Sequence, residues 1–143
     1  MKRLLLAAIV LAVLAVAGFF AWRMMAPPPA DLDLAREKTS VAGLYAVAIE
    51  PEVLPVQQGP LHNWIVTVKT PGGEPVADAE LAVEGGMPRH GHGLPTAPHS
   101  AGHVGEGRYR VEGVRFNMGG WWVLKFSVSS PAGDDEAEFN IVL

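Results

Sequence analysis

The stretch Trp64-Ile65-Val66-Thr67-Val68-Lys69, followed closely by Pro71-Gly72-Gly73-Glu74-Pro75, decides the fold. β-branched and aromatic residues fill the first run, and a period of two places Trp64, Val66 and Val68 on one face. The second run signals a turn, because its glycines and prolines interrupt both helices and strands. A half-buried strand ending in a sharp turn is therefore the predicted building unit of the domain.

The same pattern recurs on both sides of this unit, at intervals of about 8–16 residues. Helical periodicity is absent after residue 43, and about six or seven short strands favour an all-β fold, an immunoglobulin-like antiparallel β-sandwich. The stretch 85–107 is rich in glycine and is predicted to be a loop. The predicted strands cover residues 44–49, 64–69, 77–83, 109–116, 121–128 and 137–143.

The N-terminal segment from Leu4 to Trp22 is an unbroken apolar run without a charged side chain. About 20 helical residues cross the roughly 30 Å hydrocarbon core of a bilayer, so we expect a transmembrane helix. Lys2 and Arg3 precede the run, and the positive-inside rule places them in the cytoplasm and the following domain outside it. The alternative is a signal peptide cleaved after Ala15-Val16-Ala17, although the apolar run continues beyond that point.

The chain is thus divided into an anchor at residues 1–23, a Pro-rich linker at 24–41 and a β-sandwich domain at 42–143. The linker contains Ala26-Pro27-Pro28-Pro29-Ala30, and consecutive prolines favour a stiff polyproline helix. We expect this spacer to lift the domain off the membrane.

Composition and motifs exclude several functions. The net charge is -4, and three of the eleven basic residues, Lys2, Arg3 and Arg23, flank the apolar run. The domain is therefore acidic. Its sequence shows no stripe of basic residues that could bind nucleic acid. No cysteine is present, which excludes disulfides and thiolate ligands. The sequence contains no Gly-x-Ser-x-Gly or His-Glu-x-x-His motif and no phosphate-binding loop, so we do not expect an enzyme.

The histidines concentrate in one segment: four of the five are His90, His92, His99 and His103. In an extended chain His90 and His92 point to the same side, because side chains alternate with a period of two. The two methionines of the domain, Met87 and Met118, flank this segment. Thioether and imidazole donors in a chain without cysteine suit copper, Cu(I) in particular.

A structural interpretation competes with the metal site. Histidines in Gly/Pro-rich loops often only hydrogen-bond the loop backbone, and a methionine beside a strand often fills the core. One residue of the pair Trp121 and Trp122 is expected to face the core. His62, close to Trp64, is expected to be structural.

Three segments together resemble the YtkA-like domain, a domain also labelled as the FixH family. They are Gly86-Met87-Pro88-Arg89-His90-Gly91-His92-Gly93-Leu94-Pro95-Thr96-Ala97-Pro98, Gly107-Arg108-Tyr109 and Phe116-Asn117-Met118-Gly119-Gly120-Trp121-Trp122. The resemblance covers residues 42–143 and implies a small bacterial β-sandwich outside the cytoplasm, often tethered to the inner membrane by one N-terminal helix. It implies no established reaction.

FixH itself is associated with assembly of a copper-containing terminal oxidase, alongside a cation-pump partner. With the resemblance added, the first-choice copper ligands are Met87, His90, His92 and Met118, with His99 and His103 as alternates. Two hypotheses follow. The chain is a non-catalytic binding or accessory module that handles copper beside a membrane protein partner, or it is a protein-interaction sandwich whose His-rich loop is purely structural.

Overall fold

The computed structural model describes residues 2–143, which form one helix followed by two antiparallel sheets. The elements are α1 (Lys2–Met25), β1 (Glu37–Thr39), β2 (Ala46–Pro51), β3 (Leu61–Lys69), β4 (Glu80–Met87), β5 (His92–Gly93), β6 (His99–Gly105), β7 (Arg108–Arg115), β8 (Trp121–Ser130) and β9 (Gly133–Val142).

Helix α1 is a candidate single membrane anchor. The span Lys2–Arg23 has a mean hydropathy of 2.9, and none of its most apolar window is buried against the protein. A soluble helix hides one apolar stripe, whereas a helix that is apolar all round needs an apolar environment on every side. The expected N-terminal apolar helix is therefore present, and its length and composition suit a bilayer.

The nine strands form a sandwich, which confirms the predicted fold class. One sheet has the order β1-β2-β3-β7-β6, and the other has the order β5-β4-β8-β9. Alternating residues of each strand point into the space between the sheets. Trp64, Val66 and Val68 contribute from the first sheet, while Trp122 and Phe139 contribute from the second. This burial confirms the period of two in the sequence and the inward position of one residue of the tryptophan pair.

The structure contains more strands than the six or seven expected. β1 lies within the stretch assigned to the linker, and β5 and β6 lie within the predicted loop 85–107, which is therefore not a continuous loop. β6 was missed because glycines lower strand propensity. Here Gly102 and Gly105 adopt φ of 115° and 104° at two register shifts, so they allow β6 to bulge while it pairs with β7.

Strand β4 begins later and ends later than predicted, at Glu80 and Met87. Near the end of β4 lie Gly85 and Gly86, where the neighbouring strands approach closely. A Cβ added to Gly86 would lie 2.4 Å from the carbonyl oxygen of His92, and one added to Gly85 would lie 2.6 Å from that of Val123. Glycine is needed here so that β5 and β8 can flank β4, and it does not mark a loop.

The segment between helix and sandwich contacts the domain instead of extending away as a spacer. Arg89 donates a hydrogen bond from Nη1 to the carbonyl oxygen of Ala26. The Asn140 side chain donates to the Asp33 carbonyl oxygen at 2.8 Å and accepts from Trp121 Nε1 at 2.8 Å. Backbone carbonyls of the linker thus find donors on the domain, which holds the linker along one end of the second sheet.

The opposite end of that sheet is held by Asp135. Its carboxylate accepts hydrogen bonds from Ser40 Oγ at 2.6 Å and from the backbone amides of Ala42, Leu44 and Glu136 at 2.8–3.1 Å. Burial raises the pKa of Asp135, but these hydrogen bonds outweigh burial and lower the pKa to about 2. Asp135 therefore fixes the segment that enters β2 against the start of β9.

Candidate functional site

The candidate site is built on the tight turn between β4 and β5. The amides of His90 and Gly91 both donate to the Met87 carbonyl oxygen at 3.0 Å, which closes the turn. Gly91 has φ of 67°, a left-handed conformation that glycine adopts without strain. Met87 and His92 are then directly paired across the two strands. The turn therefore places both histidines within a few ångströms of the end of β4.

His90 and His92 lie side by side on this turn. Their ring centroids are 5.8 Å apart, with an angle of 41° between the ring planes. A metal–imidazole bond is about 2 Å long, so two rings that share one ion have centroids about 6 Å apart. His92 is exposed and His90 is half-buried. The ring separation therefore matches that of two imidazoles that share one ion, on a turn that is open to solvent.

Met87, the last residue of β4, is buried next to the turn and is paired with His92. Its side chain is only 3% exposed, and its Cε lies 3.3 Å from the place where a Cβ on Gly120 would stand. Met87 lines one cavity together with His90 and another together with His92. Of the six predicted ligands, the structure thus gathers three: Met87, His90 and His92.

The orientation of His92 is fixed by two neighbours. Its Nδ1 lies 3.1 Å from the Gly93 carbonyl oxygen, which can only accept, so the neutral tautomer that makes this hydrogen bond has its proton on Nδ1. Nε2 is then left with a free lone pair. The ring also packs against the edge of Trp122 at a centroid distance of 5.8 Å. A histidine that donates one ring N–H to a carbonyl and keeps the other nitrogen basic is the usual form of a metal ligand.

Met118 is placed differently from the three gathered residues. Its backbone carbonyl accepts a hydrogen bond from Trp122 Nε1 at 3.0 Å, while its side chain is 38% exposed. Met118 lines neither of the two cavities that Met87 shares with the histidines. The structure therefore gives the main chain of Met118 a role in holding Trp122.

His99 and His103 lie on the other sheet, in strand β6. His99 is paired with Glu112 and His103 with Tyr109, and directly paired residues share a face of the sheet. Tyr109 points into the core and Glu112 points outward, so the bulge after Ser100 separates the two histidines onto opposite faces. They cannot bind one ion together.

His103 has a visible structural role. Its Nε2 accepts a hydrogen bond from the amide of Gly107 at 3.1 Å, and its ring packs on Tyr109 at 5.1 Å. The predicted structural role of His62 has a similar basis: its Nε2 lies 2.8 Å from the Gln57 carbonyl oxygen and its ring contacts Phe116. Both histidines satisfy backbone groups near the core.

Sequence reasoning missed two residues near the turn, Met25 and Arg89. Met25 ends helix α1 and lines, with Met87 and His90, a cavity of about 260 Å³. Arg89 joins the turn to the end of the anchor through Ala26. A methionine directly after an apolar span was the available signal for Met25, whereas nothing in the sequence indicated that the linker returns to this turn.

The donors at the turn also limit the kind of ion. Among residues 2–143, no group of three or more His, Asp or Glu side chains could hold a metal ion. A site here would therefore depend on the thioether of Met87 in addition to imidazole. Such a set is poor in hard oxygen donors and suits a soft ion of low coordination number.

Comparison with known proteins identifies one family. A family model described as YtkA-like matches residues 39–127. No curated protein and no solved structure gives a significant match. The matched region begins in β1 and ends in β8, so it includes the β4–β5 turn and Met118.

Proposed function

This chain belongs to the YtkA-like family, and we propose that it is a non-catalytic, membrane-anchored accessory module that binds Cu(I) at the β4–β5 turn. The observation that carries the proposal is the 5.8 Å separation of the His90 and His92 rings, with buried Met87 paired to His92. The domain is proposed to face the extracytoplasmic side of the bacterial inner membrane. Lys2 and Arg3 before the anchor support that orientation.

The ligand chemistry supports copper over zinc. Structural zinc sites are closed by four ligands, almost always thiolate, imidazole or carboxylate. The turn offers two imidazoles and one thioether, a set that Cu(I) accepts with two or three ligands. Nε2 of His92 is the first donor in this proposal, because its lone pair is free. His90 supplies the second imidazole, and Met87 supplies the thioether sulfur.

The exposure of the turn supports a role in transfer. His92 is exposed, so a bound ion remains accessible to the ligands of a partner. The turn also lies beside the end of the anchor, since Arg89 contacts Ala26. A partner that receives the ion is therefore proposed to be a membrane protein. The FixH-type role in assembly of a copper oxidase is one such setting.

The proposal is tested by titrating Cu(I) into the full-length protein in detergent, in competition with a chromophoric Cu(I) chelator. We expect one ion per chain, and we expect the double variant His90→Ala/His92→Ala to lose this binding. The matched control is His99→Ala/His103→Ala, which removes the same number of imidazoles from β6. Binding that survives in the first variant, or is lost equally in the control, would falsify the proposed site.

A second candidate function is supported by the contacts of His92. The Gly93 carbonyl and the Trp122 ring already hold this side chain, so its position needs no ion. In that case the turn is a structural cap, and the sandwich binds a protein partner through its surface or an open sheet edge. This alternative predicts a thermal midpoint that neither copper nor a chelator changes, but that the double substitution at His90 and His92 lowers.

A further inference from the structure

A third cavity lies beside the turn, between the end of helix α1 and the sandwich. It has a volume of about 450 Å³ and is lined by Trp22, Arg23, Ala26, Pro88, Arg89 and Trp121. Its walls come from both the anchor and the domain, and they contain two guanidinium groups and two indoles. None of these six lining residues is acidic.

The position of this cavity relative to the bilayer follows from the length of α1. The helix has 24 residues, and at a rise of about 1.5 Å per residue it is about 36 Å long. The hydrocarbon core is about 30 Å thick, so the last turn of the helix reaches the headgroup layer. Trp22 and Arg23 belong to this turn, and both residue types are stable at that depth. The cavity therefore opens where phospholipid phosphates lie.

The two arginines are available for an anion. Among residues 2–143, the ion pairs to carboxylates involve Lys38, Arg110 and Lys125, and neither Arg23 nor Arg89. Arg89 donates to the Ala26 carbonyl oxygen from Nη1, which leaves its other N–H groups free and holds the guanidinium in place. A guanidinium presents its donors in a fixed fork that matches two oxygens of a phosphate.

We propose that this cavity binds the headgroup of an anionic phospholipid. Arg23 and Arg89 contact the phosphate from the anchor and from the domain, and Trp22 and Trp121 flank the headgroup. Because both halves of the cavity contact one lipid, binding holds the sandwich against the anchor. The acidic domain repels an anionic membrane elsewhere, so these arginines set which end faces the bilayer. This proposal is independent of copper.

The test is native mass spectrometry of the delipidated full-length protein, titrated without copper. The lipids are phosphatidylglycerol and phosphatidylcholine with identical acyl chains. One arginine near a membrane surface contributes about a fivefold preference for anionic lipid. With two arginines at the site, we therefore expect wild-type protein to retain phosphatidylglycerol about 25-fold better. Arg89→Gln and Arg23→Gln should each reduce this preference about fivefold. The matched control is Arg108→Gln, which removes an exposed arginine at the start of β7 and should leave the preference unchanged.

The outcomes separate a lipid site from weaker alternatives. Arg23→Gln lies in the anchor, outside the sandwich core, so it reports on the site even if Arg89→Gln fails to fold. Inorganic phosphate at millimolar concentration should not displace the bound lipid. Equal retention of the two lipids, equal loss in Arg108→Gln, or displacement by free phosphate would each overturn the proposal.

Discussion

The β4–β5 turn and strand β6 each carry two histidines, and the structure treats the two pairs in opposite ways. On the turn, His90 and His92 lie with their ring centroids 5.8 Å apart. On β6, His99 and His103 are separated by a bulge that turns them to opposite faces of the other sheet. The comparison teaches that histidines close in sequence form a site only where backbone geometry turns them to one side.

The difference begins with how each strand pairs. β5 pairs with β4 without a register shift, through Gly86 with Gly93 and Met87 with His92. β6 pairs with β7 through two register shifts. A regular pair joined by a short turn fixes the direction of every side chain, whereas each bulge exchanges the two faces.

The largest expected effect comes from disrupting the regular pair at Gly86. In Gly86→Ala the new Cβ would lie 2.4 Å from the His92 carbonyl oxygen, so β5 must move away from β4. We expect overpacking to lower the free energy of unfolding by about 2–3 kcal/mol. Cu(I) affinity should fall by more than about 100-fold, or about 2.8 kcal/mol, since His92 moves with β5 and its imidazole is lost from the pair. Urea unfolding and chelator competition measure the two quantities.

The matched control for this variant is Gly72→Ala, in the turn between β3 and β4. There the nearest atom to a new Cβ is Thr70 Oγ1 at 3.7 Å, an ordinary contact. Stability and copper binding should both stay at the wild-type level. If Gly86→Ala binds copper as tightly as Gly72→Ala, the turn geometry is not what creates the site.

A smaller effect is expected from the two methionines. Met87→Leu keeps the volume of the buried side chain and removes its sulfur, so stability should change by less than about 1.5 kcal/mol. Cu(I) affinity should fall about tenfold, which corresponds to about 1.4 kcal/mol. Met118→Leu should change affinity less than about twofold, because Met118 lines neither of the cavities that Met87 shares with the two histidines. An equal loss in both variants would place Met118 at the site and contradict this assignment.

The next effect in size is expected from His103, which has a structural role in the domain. His103→Ala leaves the amide of Gly107, a buried residue, without its acceptor and removes the contact with Tyr109. We expect the free energy of unfolding to fall by about 1 kcal/mol while copper affinity is unchanged. His92→Ala should instead cause a large loss of Cu(I) affinity. The comparison fails if His103→Ala weakens copper binding as His92→Ala does.

The smallest effect concerns Asp135, at the other end of the second sheet. Its folded-state pKa of about 2 lies below the ordinary value of 3.8 for an aspartate, so its hydrogen bonds stabilise the fold above pH 4. This contribution is lost as pH falls from about 4 through about 2. Because the carboxylate is partly exposed, we expect at most about 1 kcal/mol.

Asp135→Asn should therefore lower the free energy of unfolding at neutral pH by up to about 1 kcal/mol and flatten its dependence on pH between about 4 and 2. Copper binding at neutral pH should be unaffected. Asp135 lies in β9 and pairs with Val128, near the end of β8 that is far from the turn. Denaturant unfolding at several pH values measures the first expectation. An unchanged slope in the variant would show that another carboxylate is responsible for acid sensitivity.

Much of the fold could be predicted because its signals are local. The alternation of Trp64, Val66 and Val68 and the apolar run of the anchor each follow from a few neighbouring residues. The strand β6 could not be predicted, because its bulges at Gly102 and Gly105 break the period of two that marks a strand, and glycine lowers strand propensity. Local propensity gives the type of an element better than its register.

The candidate site was predictable in part for the same reason. Met87, His90 and His92 lie close together because they belong to one short hairpin, so their proximity follows from the sequence, whereas their role as ligands stays a prediction. Met118, His99 and His103 were grouped by proximity in sequence, and the structure places them elsewhere. Met25 and Arg89 were missed because their position depends on the return of the linker to the domain.

The most direct test of the copper site is a long-range nitrogen–proton NMR spectrum of the imidazoles, recorded on the full-length protein in detergent. Silver(I) serves as a redox-stable substitute for Cu(I) in this titration. We predict that ring nitrogens of His90 and His92 shift together and saturate at one ion per chain, while Nδ1 of His92 stays protonated. Shifts at His99 or His103 instead, or no shift in any histidine, would contradict the account.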